Sequence, residues 1–144
     1  MKIRYKNLNE NEYLQALNFS YNEMVSNNQI EDNFKNKTLF VKLNLAKAYE
    51  DQLKFYGAYD KEQLVGVIGY ESDYIPILFV NNKYRNKYIA TKLKSYAINY
   101  YKNNNIKTIK LESTRYALEF YKKLGFEIDK EKNEDKYVPL KREI

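Results

Sequence analysis

Apolar residues recur along the chain with periods that predict alternating strands and helices. Ile3 and Tyr5 alternate with polar neighbours, which predicts a short first strand. Asn9 followed by Glu12 resembles a capping box, a motif that opens helices. The apolar residues behind it repeat at helical spacing: Leu14, Leu17, Tyr21, Met24 and Val25.

The stretch from Ile30 to Tyr49 fits two structures. Its length favours a helix, whereas Leu39, Val41 and Leu43 alternate with polar residues as they would in a strand. We expect a helix here.

Three strands are predicted in the middle of the chain. Residues 54–60 and 64–71 form a hairpin around a polar turn. Residues 74–80 form a third strand that contains Pro76. Because proline cannot donate to a ladder, it indicates a strand start, an edge or a bulge.

The C-terminal half begins with a basic turn and a helix whose apolar stripe ends before residues 103–105. A strand at 106–112 completes a parallel strand–helix–strand unit with a right-handed crossover. A shorter helix then ends at Gly125, which suits a left-handed cap. Residues 126–128 and 137–140 are the last strand candidates. We expect one continuous α/β domain over residues 1–144.

Composition removes several kinds of chemistry. The 144 residues include neither cysteine nor histidine. Disulfides, thiolate nucleophiles and histidine bases are therefore excluded, and we expect no metal site. Catalysis would have to use carboxylates, tyrosines, lysines or backbone dipoles.

Charge and hydropathy bear on location and partners. No apolar run approaches the roughly 20 residues that span a bilayer, and the N-terminus lacks an apolar signal core. We therefore expect a cytoplasmic protein without a membrane partner. The net charge of +6 allows nucleic-acid binding as one hypothesis, but acidic and basic residues interleave. We expect no nucleic-acid partner.

The segment 78–93 passes from a buried strand through a basic turn into a helix. A helix start leaves backbone N–H groups unpaired and carries partial positive charge. Lys83, Arg85 and Lys87 surround this start. The segment therefore predicts an anion site suited to a pyrophosphate.

The residues RNKYIA, from Arg85 to Ala90, resemble the cofactor motif of the GNAT superfamily of N-acetyltransferases. That motif is Arg or Gln, two residues, Gly, one residue, then Gly or Ala. Tyr88 and Asn86 stand where the family commonly has glycine. The Cβ of a tyrosine excludes the close approach and the unusual torsions that glycine allows, unless the backbone at Tyr88 is plainly helical.

A second segment, residues 113–128, is similar to a later helix of the same family. Thr114 stands where the family often has asparagine. The resemblance implies a mixed, mostly antiparallel twisted sheet of about six to seven strands, flanked by about four helices, with a parallel pair at the cofactor cleft.

The resemblance also implies the activity. It predicts an acetyl-CoA-dependent N-acetyltransferase in which a primary amine, on a small molecule or a peptide, attacks the thioester directly. The cofactor-binding residues it implies are Leu78, Phe79, Val80, Arg85, Asn86, Lys87, Tyr88, Ile89, Ala90, Thr91 and Thr114.

Two catalytic residues are predicted. Tyr121 would hydrogen-bond to or protonate the leaving thiolate, whose conjugate acid has a pKa of about 8.5 against about 10 for a tyrosine hydroxyl. Glu71 would accept the proton of the amine, with Asp73 and Glu112 as alternatives. Each carboxylate would also be ordinary as a solvated charge at a strand end.

One alternative keeps the fold without the chemistry. In it the chain is a CoA-binding or protein-interaction module whose Tyr88 obstructs productive binding. The sequence contains no motif for the acceptor, and it leaves a homodimer open.

Overall fold

The computed structural model describes residues 2–85, 88–129 and 137–144. These ranges contain seven strands and four α-helices: β1 Ile3–Asn7, α1 Tyr13–Ser26, α2 Phe34–Tyr49, β2 Lys54–Asp60, β3 Gln63–Tyr70, β4 Ile77–Val80, α3 Ile89–Asn103, β5 Thr108–Thr114, α4 Leu118–Lys123, β6 Glu127–Ile128 and β7 Tyr137–Glu143. Short 3-10 turns lie at Glu10–Glu12 and Asn82–Tyr84. Within the described ranges, no helix is long and apolar enough to cross a membrane.

The strands form two antiparallel sheets. One has the order β1-β2-β3-β4 and the other β5-β7-β6. A parallel bridge between Tyr74 and Lys110 joins the two sheets. This arrangement confirms the predicted mixed, mostly antiparallel fold with its parallel contact between the third strand and the strand after α3.

The first sheet is covered on both faces. Leu17 of α1 and Ala48 of α2 are buried with Val67 and Ile77 on one face. On the other face, α3 packs its apolar stripe into a cluster shared with the second sheet: Ile89, Leu93, Ala97, Ile98, Tyr101, Ile109, Leu111, Val138 and Leu140. The helices therefore divide the core into two layers.

The ambiguous stretch of the sequence is a helix. α2 begins at Phe34, and the side chain of Asn33 caps it by accepting from the backbone N–H of Asn36 at 2.8 Å. Leu39 is 48% exposed and Leu43 is 61% exposed. Their alternation therefore does not reflect a strand with one buried face.

Two glycines lie where a larger residue would be crowded or strained. At Gly66 in β3, a Cβ would lie 3.1 Å from the side chain of Ile89, so the start of α3 sits directly on the sheet. Gly125 has φ of 96°, as its cap role predicts. The guanidinium of Arg142 occupies the space beside it and donates to the carbonyl of Leu124 at 2.7 Å.

The boundaries of several strands differ from those that the sequence predicts; β5, for example, spans Thr108–Thr114 instead of 106–112. β4 begins at Ile77 instead of residue 74, because Tyr74 pairs with the second sheet before the chain turns onto β3. β7 continues to Glu143, where it pairs with Thr108. The predicted site residues Asn86 and Lys87 lie outside the described residues.

Candidate active site

A cleft opens where β4 and β5 diverge. The amide of Ile75 donates to the carbonyl of Lys110 at 2.9 Å, and the amide of Lys110 donates to the carbonyl of Asp73 at 2.8 Å. Beyond these bonds β4 pairs with β3, and β5 pairs with β7. The facing edges of β4 and β5 thus separate around a space of about 660 Å³.

The cleft brings together nearly all of the predicted site residues that the structure describes. They come from β4, the start of α3, the end of β5 and α4: Leu78, Phe79, Val80, Arg85, Tyr88, Ile89, Ala90, Thr91, Thr114 and Tyr121. Glu71 lies outside this lining. Segments far apart in the sequence therefore meet at one concave surface.

The start of α3 supplies the positive end of a helix to this cleft. The first bond inside the helix runs from the amide of Lys92 to the carbonyl of Tyr88 at 3.1 Å. The amides of Ile89, Ala90 and Thr91 precede that bond, so they have no partner within the helix. Unpaired amides and the helix dipole favour an anion at this point.

Hydrogen bonds hold the turn before α3 in place. The side chain of Asn81 accepts from the amide of Lys83 at 3.0 Å. The hydroxyl of Tyr84 donates to the carboxylate of Asp60 in β2 at 2.6 Å, and this bond raises the pKa of Tyr84. The neighbouring Arg85 is therefore carried by a turn that is tethered to the sheet.

Tyr88 does not have the helical backbone that would suit a tyrosine at this position. As the N-cap of α3 it has φ of 61° and ψ of 17°, a left-handed conformation. Glycine adopts this region freely, whereas in other residues this conformation raises the free energy by about 1–2 kcal/mol. The side chain is 81% exposed, so the strained backbone presents the ring at the cleft surface.

Tyr121 is partly buried and packs against two aromatic rings. Its ring centroid lies 5.1 Å from that of Phe120 and 6.2 Å from that of Phe126. Burial raises the pKa of Tyr121 to about 12, with a further contribution from Tyr74. The phenol is therefore neutral at physiological pH and can donate a proton or a hydrogen bond.

The three candidate carboxylates occupy different positions. Glu112 lines the cleft. Glu71 is bound to the ammonium of Lys47 at 3.1 Å. The pKa of Tyr74 is raised mainly by burial, then by the charges of Glu112 and Glu71, so both carboxylates lie near that ring. Asp73 lies outside the cleft lining, and its charge contributes to the raised pKa of Tyr101 after burial.

The family is identified by a match over most of the chain. The family described as acetyltransferase (GNAT) domain matches residues 15–141. This chain belongs to the GNAT acetyltransferase family. Its divergent strands and helix start are thus features of a GNAT domain.

Solved GNAT structures share the fold over nearly their whole length. An acetyltransferase of the GNAT family from Staphylococcus aureus Mu50 is 20% identical with a TM-score of 0.77, covering 99% of each chain. The PaiA N-acetyltransferase from Thermoplasma acidophilum, in complex with coenzyme A, is 15% identical with a TM-score of 0.73, covering 100% of each chain. The NatC complex bound to Gag peptide and CoA includes a chain 22% identical with a TM-score of 0.74, covering 100% of this chain and 99% of that one.

A relative in sequence is the uncharacterized protein YxbD of Bacillus subtilis (strain 168). It is 38% identical over 86 residues, which cover 56% of this chain and 54% of that protein. The chain thus spans about half the length of this relative.

Several lining residues of this GNAT chain carry no signal in the sequence. Asn27 and Gln29 reach the cleft from the end of α1, and Tyr84 lines it from the turn before α3. Tyr116 and Lys123 line it from the other wall. Of these five, Tyr84, Tyr116 and Lys123 belong to segments in which the resemblance could have suggested a role, whereas Asn27 and Gln29 do not.

We expect replacement of Tyr88 by glycine to stabilise the fold. Release of the left-handed strain of about 1–2 kcal/mol exceeds the entropic cost of a glycine, about 0.5–1 kcal/mol. Urea denaturation of Tyr88→Gly should therefore show a free energy of unfolding higher by up to about 1 kcal/mol.

Tyr116→Gly is the matched control, because Tyr116 is 87% exposed and is not among the residues with positive φ. This control should lose stability. A destabilised Tyr88→Gly would contradict the strain at Tyr88.

Proposed function

We propose that the chain transfers an acetyl group from acetyl-CoA to a primary amine. One observation carries this proposal: the start of α3, the edge of β4 and the phenol of Tyr121 line the same cleft of a GNAT fold. Two structural neighbours, PaiA and NatC, hold coenzyme A, which supports the same cofactor here.

The cleft suits acetyl-CoA in each of its parts. The amides at the start of α3, together with Arg85, would hold the pyrophosphate. The edge of β4 that faces the cleft would pair with the pantetheine arm as an added strand does, through Leu78, Phe79 and Val80. Thr114, Ala90 and Thr91 lie within reach as further lining residues.

The electrostatics of Arg85 fit this role. Glu23 of α1 is buried, which raises the pKa of its carboxyl, and the nearby guanidinium of Arg85 partly offsets this effect. Arg85 thus interacts with the carboxyl of Glu23 and also lines the cleft. Its charge is available to a phosphate at the helix start.

The amine has to lose a proton before it can attack, because alkylamines have a pKa near 10.4. Glu112 is the candidate carboxylate that lines the cleft, whereas Glu71 is engaged by Lys47. We therefore assign the role of base to Glu112 in preference to Glu71. The carboxylate would act directly or through one water.

Tyr121 would act at the other end of the reaction. As the amine nitrogen bonds to the acetyl carbon, the carbon–sulfur bond breaks and the sulfur leaves as a thiolate. The neutral phenol of Tyr121 would donate its proton to that sulfur. The tyrosinate would then recover a proton from solvent or from the spent base.

For the acceptor we propose a chemical class, a molecule that bears a primary amine. Asn27 and Gln29 line the cleft beside the divergent strands and would contact the acceptor. NatC is bound to a peptide, which supports a peptide or a small molecule that bears a primary amine. We place the reaction in the cytoplasm.

Binding and turnover test the function directly. Calorimetric titration with acetyl-CoA should give a saturable isotherm, and thiol release should appear with at least one member of an amine panel. Absence of binding at millimolar acetyl-CoA would refute the proposal. Binding without turnover on every amine would favour the module without chemistry.

The Tyr121→Phe variant should lower kcat by about 100-fold or more, since a general acid contributes at least that factor. CoA affinity should stay close to wild type. Tyr49→Phe, at an exposed end of α2, is the control that should keep full activity. An unchanged rate of acetyl transfer under chemistry-limited conditions would exclude Tyr121 as the acid.

The pH profile gives a second check on the same residue. A folded-state pKa of about 12 keeps the phenol protonated, so no alkaline loss of kcat should arise from Tyr121 below about pH 11.

A pair of variants tests the base. Glu112→Gln should lower kcat/KM by about 100-fold at pH 7 and less at higher pH, where more of the amine is already neutral. Glu71→Gln should change kcat/KM by no more than a few fold. The reverse ranking would return the role to Glu71.

A further inference from the structure

Three aromatic side chains of the cleft are unusually exposed. Tyr88 is 81% exposed, Tyr116 is 87% exposed and Phe120 is 43% exposed, and all three line the cleft. We call these residues the aromatic rim. Large aromatic side chains ordinarily bury most of their area, so exposed rings gathered at one cleft indicate a ligand-binding surface.

The rim has residues on both walls of the cleft. Tyr88 is the N-cap of α3, whereas Tyr116 and Phe120 belong to the segment that leads from β5 into α4. A planar ligand group at the rim therefore meets an aromatic ring on either wall.

Tyr88 is held next to the phosphate site at an energetic cost. Its left-handed φ of 61° is a conformation that glycine would adopt without strain. Strained backbone of this kind is concentrated at ligand-binding sites, where it fixes the position of a side chain that contacts the ligand. The ring stands one residue before the unpaired amides of α3.

Cationic side chains accompany the rim. Arg85 lines the cleft three residues before Tyr88, and the exposed Lys123 lines it three residues after Phe120. Lys122, in contrast, is paired with Glu119 at 3.5 Å. Aromatic rings beside exposed cations match a nucleotide, which combines a planar base with phosphates.

We propose that the aromatic rim binds the adenine ring of coenzyme A by stacking. This inference rests on the proposed function. With the thioester at Tyr121 and the pyrophosphate at the start of α3, the nucleoside has to continue outward past Tyr88. The exposed rings of the rim line this same cleft and are available to the adenine there.

The test compares two ligands on a double variant, Tyr88→Leu with Tyr116→Leu. Leucine keeps an apolar side chain and the backbone strain at position 88 but removes the stacking surface. Phe120 is left intact because its ring packs against Tyr121. The ligands are coenzyme A and 4′-phosphopantetheine, which lacks the adenosine.

We expect the Kd of coenzyme A to rise by about 10-fold or more, since base–aromatic stacking carries an effect of that size. The Kd of 4′-phosphopantetheine should change by less than about 2-fold. Tyr88→Phe with Tyr116→Phe should bind coenzyme A as the wild type does, because the rings are retained.

Fluorescence of etheno-coenzyme A gives a readout that general loosening of the fold would not imitate. Stacking on the rim should quench the fluorescence of the etheno-adenine when it binds to the wild type. Etheno-coenzyme A bound to the double variant, at a saturating concentration of that protein, should not be quenched. Phe34→Leu with Tyr49→Leu, two exposed aromatics of α2, is the matched control and should bind with full quenching.

Two results would overturn the inference: an unchanged Kd for coenzyme A in the double variant, or equal losses for both ligands. The first result would leave the rim as a surface for another partner. Failure of the wild type to bind coenzyme A would instead refute the proposed function, so the two failures are distinguishable.

Discussion

The candidate site depends on one place in the fold. There the segment before β4 pairs with β5, and beyond it the two strands diverge. In the described part of the chain, parallel pairing of the segment before β4 with β5 is confined to the bridge between Tyr74 and Lys110. A fully paired sheet would consume the backbone groups of both strands. Because pairing stops, the inner edges of β4 and β5 are left to line a cleft, and a ligand can take the place of the missing strand.

The position of α3 relative to that cleft is fixed from three directions. Gly66 lets Ile89 approach the sheet to a distance that a Cβ would obstruct. The bond from Tyr84 to Asp60 ties the preceding turn to β2. The left-handed Tyr88 ends the turn and starts the helix. The positive end of the helix is thereby aimed at the space between the strands.

The absence of histidine from the sequence limits the groups that could transfer protons in this site. Proton transfer falls to groups whose unperturbed pKa values lie far from neutrality, and burial moves the phenol of Tyr121 further away, to about 12. Such a group is always protonated when the reaction begins. It can donate a hydrogen bond or its proton to the departing thiolate, but it cannot be the base that activates the amine.

Much of the fold could be predicted from the sequence, since local periodicity reports local structure. The stripe that begins at Ile89 gave α3, the alternation at 54–60 and 64–71 gave a hairpin, and Gly125 marked a cap. The bounds of β4 could not be predicted in this way. Whether Tyr74 pairs with β3 or with β5 depends on contacts between residues more than thirty positions apart.

The features of the site can also be separated into those that the sequence determines and those that depend on the tertiary structure. The sequence by itself determined the identity of the groups: the basic turn, the helix start, the tyrosine of the later helix, and the absence of thiol and imidazole. Only the tertiary structure decided that Glu112 lines the cleft while Glu71 is paired with Lys47, and that Tyr88 is left-handed instead of helical. The physical reason is that a backbone torsion or an ion pair at one residue is chosen by the packing of distant segments, which local sequence does not encode.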